Sequence, residues 1–532
     1  MADQHLDLTL DQQIGQLFMV GFPGASVTDE IRALIVERHV GGVVLFTRNI
    51  RDVRQTAELT DALQQLAREA GHPAPLLISV DQENGIVRRL GPEATAFPGN
   101  MALGATGSAA LTREVAEATG QELLAHGINM NLAPSVDVNS TPANPVIGVR
   151  SFGERAEDVA RLGVAAVEGY RAAGVVSTLK HFPGHGDTAV DSHLDLPVLP
   201  YALQRLDEVE LLPFRAGIAA GAPCIMTAHV ALPALTAGKL IPASVSGAVV
   251  HGLLRERLGF DGVVMTDCLE MQAISDTIGI APAAVMALAA GNDLVLISHL
   301  VERQLGGIEA VRQAVRTGTL EESRIAEAAA RVIQLKRRYL RWDAGASANA
   351  HTVVGSAAHR ELRDRAYARS VTLVRDPGGL VPLDLAPQSR LVVLAPAAQT
   401  VSQAVDLPFT LEPLVQRLRQ YHPLVSGGSA PMSPGVTLEH LSLAPEDVLV
   451  LVTVNAYLES AQGEVIGRLA RSAAKVIGIV AGNPYDAALF PDESTVIATY
   501  EYSEPALVAA ADVLIGHLSP VGRLPVTVAG LR

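Results

Sequence analysis

The segment Lys180-His181-Phe182-Pro183-Gly184-His185-Gly186-Asp187-Thr188-Ala189-Val190-Asp191-Ser192-His193 carries one lysine, three histidines and two aspartates. A purely structural loop has no use for so many ionisable groups, whereas proton transfer and ligand binding do. Pro183, Gly184 and Gly186 remove side-chain packing and permit unusual backbone angles, which predicts a loop able to move over a bound ligand. Asp191-Ser192-His193 sets a carboxylate two residues from an imidazole, where it can orient the ring and stabilise the imidazolium, making His193 a proton donor and acceptor. As a bare tripeptide it reads equally as a polar surface turn. Zinc ligation by His181, His185 and His193 with Asp187 or Asp191 is the rival chemistry. Histidines four apart chelate from a helix, which Pro183 and Gly184 disfavour, and Lys180 repels a cation, so neither a metal nor a cofactor is expected.

A second candidate lies in Gly262-Val263-Val264-Met265-Thr266-Asp267-Cys268-Leu269-Glu270-Met271. Asp267 follows an apolar run of strand length. An ionised carboxylate in that position suits attack on an oxocarbenium-like centre, forming a glycosyl ester that water later cleaves. Glu270 competes for the role, but its place just beyond the strand predicts a capping or outward-facing side chain.

Short apolar runs recur at residues 17–20, 43–46, 76–80, 128–132, 175–179, 224–226, 263–265 and 294–297, with helical periodicity between them at 28–38, 53–70, 111–125, 156–173 and 201–220. Eight such alternations without a Gly-x-Gly-x-x-Gly turn predict an α/β chain whose first unit is a closed (β/α)8 barrel of the TIM type. Polar residues follow several of these runs: Thr47 and Arg48, Asp81, Asp137, Lys180 and His181, His229, and Asp267. In such a barrel those positions converge on the face where active sites form. Ordinary loop polarity explains one such loop as well, but not six.

The barrel is expected over residues 1–342, ending in a helical stretch at 325–340, with a small, polar linker at 343–356. A second unit follows at 357–532, with strands expected at 371–374, 391–394, 448–454, 476–480, 496–499 and 513–515. Helical stretches between them predict an α/β/α sandwich. Ala481-Gly482-Asn483-Pro484 reads as a turn after a strand rather than a phosphate loop.

Of the 532 residues 48% are hydrophobic and 18% charged, a globular composition large enough for more than one core. With 41 basic against 56 acidic residues and net charge -15, the chain favours solubility and repels phosphate backbones, so nucleic acid is not an expected partner. Cys224 and Cys268 both lie in apolar runs, read as buried thiols suited to a reducing compartment. No basic-then-apolar leader opens the sequence, and the apolar window 280–297 is broken by Pro282, Asn292 and Asp293, short of the roughly 20 uninterrupted apolar residues of a membrane span. A cytoplasmic protein away from membranes, monomeric or weakly oligomeric, is the expectation.

Residues 180–193 together with Met265-Thr266-Asp267 resemble glycoside hydrolase family 3, in particular its β-N-acetylglucosaminidase branch. The likeness continues through Gly15-Gln16-Leu17-Phe18-Met19-Val20-Gly21-Phe22, residues 41–49, Val80-Asp81-Gln82-Glu83, Phe97-Pro98-Gly99-Asn100-Met101, residues 131–139, Arg150-Ser151-Phe152-Gly153 and Met226-Thr227-Ala228-His229, most of the first unit. The resemblance implies a retaining double displacement with Asp267 as nucleophile and Asp191 with His193 as acid/base pair, where other branches are expected to use a glutamate from elsewhere. It implies that Asp81, Arg150, Lys180 and His181 grip the sugar hydroxyls or N-acetyl group. Arg48, Arg89, Asn131, Asp137, His185 and His229 are further candidates for the cleft or its surroundings. Asn84 departs from the family pattern, standing where the first of two glycines is common; asparagine tolerates left-handed backbone angles, so the turn is expected to survive. The second unit resembles the sandwich of two-domain members, and Gly522-Arg523-Leu524-Pro525-Val526-Thr527 is similar to its usual ending.

The activity this implies is release of terminal β-linked N-acetylglucosamine from muropeptides or chitooligosaccharides, a step of carbohydrate metabolism and peptidoglycan turnover. Three other activities stay open: phosphorolysis, since a histidine repels incoming phosphate less than a carboxylate, β-glucoside hydrolysis by the same family, and silent sugar binding, which the presence of both Asp267 and His193 disfavours. The second unit either shapes the aglycone side of the cleft or stabilises the barrel.

Overall fold

The computed structural model describes residues 8–188, 195–343, 350–396, 405, 408–430, 443–471 and 473–531. Its first sheet has eight parallel strands, β1 (Phe18–Val20), β2 (Gly42–Leu45), β3 (Leu77–Val80), β4 (Met130–Asn131), β5 (Val176–Phe182), β6 (Cys224–Thr227), β7 (Val263–Thr266) and β8 (Val295–Ile297). They pair in chain order, and β1 also pairs with β8. The remaining seam is a single bridge between Met265 and Leu294, with Thr266 N donating to Leu294 O at 3.0 Å and Leu294 N to Val264 O at 3.1 Å. This is the TIM-type barrel that the alternation predicts.

Period-two alternation sorts the strand residues. Val44, Leu77, Met130, Met226, Met265 and Leu296 fill the barrel interior, while Val43, Ile78, Ile225 and Val264 pack outward beneath the helices. Val332 and Leu335 of helix Glu322–Tyr339 join the inner cluster. Local chemistry sets the helix ends: Asp52 caps Val53–Glu69 by accepting from Gln55 N at 2.8 Å, and Ala156–Ala173 stops at Gly174 with φ 86°. The single helix expected at 201–220 is two, Leu203–Glu208 and Leu211–Ala219. Pro213 has no N–H to donate back across Val209, so it begins a new helix rather than continuing the old one.

The second sheet runs β11-β10-β12-β13-β14-β9, from β9 (Thr372–Arg375), β10 (Leu391–Pro396), β11 (Val425–Ala430), β12 (Val448–Thr453), β13 (Val476–Val480) and β14 (Thr495–Ala498), with only β9 antiparallel to its neighbour. Helices pack on it in an α/β sandwich. Two sequence expectations are corrected. Residues 513–515 form no strand but end helix Glu504–Leu514, whose Leu507, Ala510, Ala511 and Leu514 recur at helical spacing on the core side. The glycine- and serine-rich edge strand β11 was not expected at all, because it lacks an apolar pattern. The core of this unit runs on into the barrel unit, taking in Ile86, Val87, Met101 and Val149. Among the described residues no helix is long and apolar enough to cross a membrane.

Candidate active site

A cavity of about 600 Å3 opens where the barrel strands end. Asp81, Arg150, Lys180, His181 and Asp267 all line it, as do Arg48, Arg89 and His185. Asn131, Asp137 and His229 stand behind its wall instead. Asp191 and His193 lie outside the described residues.

The wall opposite Asp267 in sequence is a network of buried charge. Lys180 Nζ sits 2.7 Å from Asp81 Oδ1 and 2.6 Å from Glu83 Oε1. Arg150 clasps Glu83 with two bonds, Nε to Oε2 at 2.9 Å and Nη2 to Oε1 at 2.7 Å. Burial alone would raise the Glu83 pKa, but Arg150 and then Lys180 outweigh it and hold the carboxyl below its usual range. Burial likewise works against the charge on Lys180, and Asp81 and Glu83 overcome it, so the ammonium titrates higher than usual. Glu83 and Lys180 are therefore both ionised at neutral pH. Glu83 was missed as a site residue, although it lies two positions beyond Asp81 and so shares its side of the chain.

Asp137 organises the next layer. Its Oδ2 accepts from His181 Nδ1 at 2.7 Å and Ser135 Oγ at 3.0 Å, and its Oδ1 from His185 N at 2.7 Å. Burial pushes Asp137 up, but the charge and hydrogen bond of His181 prevail and bring it down to about 2. With Nδ1 against Asp137, His181 turns its Nε2 edge toward Arg150 Nη2, 3.4 Å away. His185 is pushed down to about 4, first by burial and then by His181, and is neutral. The loop was expected to move, yet its described part is pinned: Asn144 Nδ2 donates to His185 O at 2.8 Å and Gly186 O at 3.1 Å, and a Cβ on Gly186 would meet Val138 O at 1.8 Å. Asp187 turns away to Tyr201 Oη at 3.0 Å and Arg205 at 3.3 Å.

On β7, Val263 and Met265 point into the lumen, and Asp267 continues their alternation past the strand end. Its Oδ1 accepts from Cys268 N at 2.7 Å. His229 secures the same turn, donating from Nε2 to Cys268 O at 2.9 Å while Nδ1 accepts from Ser244 Oγ at 2.7 Å. Glu270 neither faces outward nor caps the segment after Asp267: its side chain is buried and accepts from three loop amides, Ser298 N at 2.9 Å, His299 N at 2.6 Å and Leu300 N at 3.1 Å, just ahead of helix Val301–Arg316. Arg48 joins from the 3-10 turn Thr47–Asn49 after β2, donating from Nη2 to Ser298 O at 2.9 Å. Cys268, Glu270 and His299 bring ligand-type atoms within 4.8 Å of one another. The set suits a cation poorly, because Glu270 is already occupied by amides and Arg48 lies 3.4 Å from His299 Nδ1. Asn84, at φ 70°, keeps the left-handed turn before Gly85.

A TIM-type barrel whose mouth gathers carboxylates and paired charges around one cavity is an arrangement suited to glycoside hydrolysis. The model described as the glycosyl hydrolase family 3 N terminal domain matches residues 9–335. Beta-hexosaminidase A of Pseudoalteromonas piscicida is 33% identical over 591 aligned residues, covering 98% of this chain and 97% of that protein. A family 3 β-N-acetylglucosaminidase from Paenibacillus sp. str. FPU-7 superposes with TM-score 0.91 at 43% identity, covering 98% of this chain and 99% of the other. A fungal multi-domain family 3 β-N-acetylglucosaminidase superposes with TM-score 0.92 at 38% identity, 98% of this chain spanning 61% of that one. The chain belongs to glycosyl hydrolase family 3.

Proposed function

We propose that this hydrolase removes terminal β-linked N-acetylglucosamine with retention, through a glycosyl ester on Asp267 and with Asp191 and His193 as the acid/base pair. The observation that carries the reading is that Asp267 shares one cavity with Asp81, Lys180, Arg150 and His181, a candidate nucleophile beside a set of fixed hydrogen-bonding groups that suit a sugar. The hexosaminidase and N-acetylglucosaminidase names of the relatives above support the same substrate. In the first step the Asp267 carboxylate attacks the anomeric carbon while the aglycone oxygen leaves with a proton from the His193 imidazolium, which Asp191 stabilises. In the second, neutral His193 takes a proton from water, whose oxygen displaces Asp267 and regenerates the carboxylate.

Asp81 and Lys180, an acceptor and a donor 2.7 Å apart, suit neighbouring sugar hydroxyls. Arg150 and the Nε2 edge of His181 suit the remaining hydroxyl or the N-acetyl oxygen. Because these groups are already ordered by one another, the sugar meets a prepared site and little ordering cost remains. Muropeptides and chitooligosaccharides both end in such a sugar, and the first would place the enzyme in peptidoglycan turnover.

The test compares aryl β-N-acetylglucosaminide with aryl β-glucoside, each with and without phosphate, following the phenol and identifying the sugar. Selective release of free N-acetylglucosamine is expected. A phosphate-dependent yield of sugar-1-phosphate would replace hydrolysis by phosphorolysis, and preference for the glucoside would overturn the substrate.

A further inference from the structure

We propose that the second unit braces the sugar-binding cluster from behind, with Glu501 and Asn483 as positioning residues for the Glu83–Arg150 ion pair. The proposal rests on the reading above, in which that pair helps to hold the sugar.

Neither partner of the pair sits on a strand. Glu83 precedes a tight turn, Asn84 at φ 70° and Gly85 at φ 59°, and Arg150 ends the short 3-10 turn Gly148–Arg150. Each turn is closed by a short bond, Glu83 N to Val87 O at 3.0 Å and Arg150 N to Ile147 O at 2.8 Å, which leaves its position to be set by what packs behind it. Behind each lies one residue of the second unit.

Glu501 follows β14 and is 2% exposed. Its Oε1 accepts from Gly99 N at 3.0 Å, linking the two units. Gly99 in turn packs on the Glu83 turn: a Cβ on Gly85 would lie 2.8 Å from Gly99 Cα and 3.4 Å from Glu501 Oε1. The next residue, Asn100, donates from Nδ2 to Arg150 O at 2.7 Å. One carboxylate of the second unit thus fixes the segment that touches both partners of the pair. Asn483 backs the other arm. A Cβ on Gly148 would meet its Oδ1 at 2.4 Å and its Nδ2 at 2.6 Å, so the amide fills the space beside the turn that ends in Arg150. The amide is itself held, Nδ2 donating to Tyr457 Oη at 3.2 Å and the backbone N to Asn455 Oδ1 at 2.8 Å. Glu83, Arg150, Gly99 and Glu501 line one narrow gap, so the second unit faces both partners of the pair across it.

Displacements of about 1 Å in a binding constellation cost on the order of 100-fold in rate, so loss of either brace should be felt at the sugar. The experiment uses the full chain and the variants Glu501→Ala, Glu501→Gln and Asn483→Ala. For each, KM and kcat on the aryl β-N-acetylglucosaminide are measured with the inhibition constant of free N-acetylglucosamine and the melting temperature. Glu501→Ala and Asn483→Ala should raise KM and the inhibition constant together by about tenfold. Glu501→Gln keeps an acceptor for Gly99 N and should restore both to within about twofold. In an Arg150→Ala background Glu501→Ala should cost no further kcat/KM, because a brace acts only through what it holds. Melting temperatures that fall while KM and the inhibition constant stay at wild-type values would overturn the proposal, as would an equal loss in the Arg150→Ala background. A wild-type enzyme active only on the glucoside would overturn the substrate reading alone, and the same comparison on that substrate would still decide the bracing. A wild-type enzyme inactive on both would overturn the two together.

Discussion

Arg150 holds Glu83 by two parallel bonds, at 2.9 and 2.7 Å, with the arginine side chain 9% exposed and the glutamate 3%. Lys180 completes the arrangement at 2.6 Å, so Glu83 bridges two buried cations while Asp81, 2.7 Å from Lys180, supplies the second negative charge. Removing the Glu83 charge without changing shape should be severe, since breaking a buried pair costs about 3–5 kcal/mol. Glu83→Gln is expected to lower kcat/KM by about 100-fold or more, leaving Arg150 and Lys180 to repel each other at the sugar site. Steady-state kinetics beside a circular dichroism spectrum checks this, and near wild-type kinetics would remove Glu83 from the site.

Asp267→Ala should abolish nearly all turnover, by about 1,000-fold or more, because Glu270, the next carboxylate along the chain, is already occupied by three backbone amides. Small anions such as azide should restore a slow reaction and yield a glycosyl azide of inverted configuration. His193→Ala should instead keep activity on activated aryl leaving groups, which need little protonation, and lose it on natural ones. Equal losses on both kinds of substrate would count against His193 as the acid.

Counting in twos along β7, from Val263 through Met265, leads straight to Asp267, and from Leu77 through Ser79 it leads to Asp81; that is why these residues were legible in sequence. The same count reaches Glu83, but a lone carboxylate says nothing of its two cations, which arrive from distant segments. Depth is equally invisible. Asp137, six residues beyond the end of β4, stands behind His181 because His181 N and His185 N both fold over it. Glu270 meets its three amides only once β8 lies beside β7. The edge strand β11 and the false strand at 513–515 mark the other limit: edge backbone can pair without apolar side chains, and a short apolar run carries no period of its own.

Glu270 supports a prediction about stability rather than chemistry. It satisfies three amide donors ahead of helix Val301–Arg316. Truncation leaves those groups without their acceptor, at a cost of about 2–3 kcal/mol. Glu270→Ala should lower the thermal midpoint by roughly 3 °C or more. Differential scanning calorimetry measures it, and an unchanged midpoint would mean that water replaces the carboxylate at no cost.

Acid should weaken the fold before it reaches the carboxylates. His72 and His185 are both pushed down to about 4, burial being the leading cause in each. In the unfolded chain both titrate near about 6.5. Between those values the unfolded chain binds more protons than the native one, so stability is fully present above about pH 6.5 and drains away as the pH falls through about 4. Asp137, held down to about 2, adds a later loss, present above its unfolded value near about 3.9 and gone toward pH 2. The two histidines therefore add no slope to the thermal midpoint above about pH 6.5 and pull it down steadily below that value. His72 offers the clean test, because it lies away from the cavity and bonds to Ile35 O at 2.9 Å and Gln16 Nε2 at 3.4 Å, contacts that a glutamine can keep. His72→Gln should flatten the decline between about pH 6.5 and 4 while leaving turnover at pH 7 unchanged. A wild-type midpoint that stays level down to pH 4.5 would mean that the native fold takes up these protons as readily as the unfolded chain.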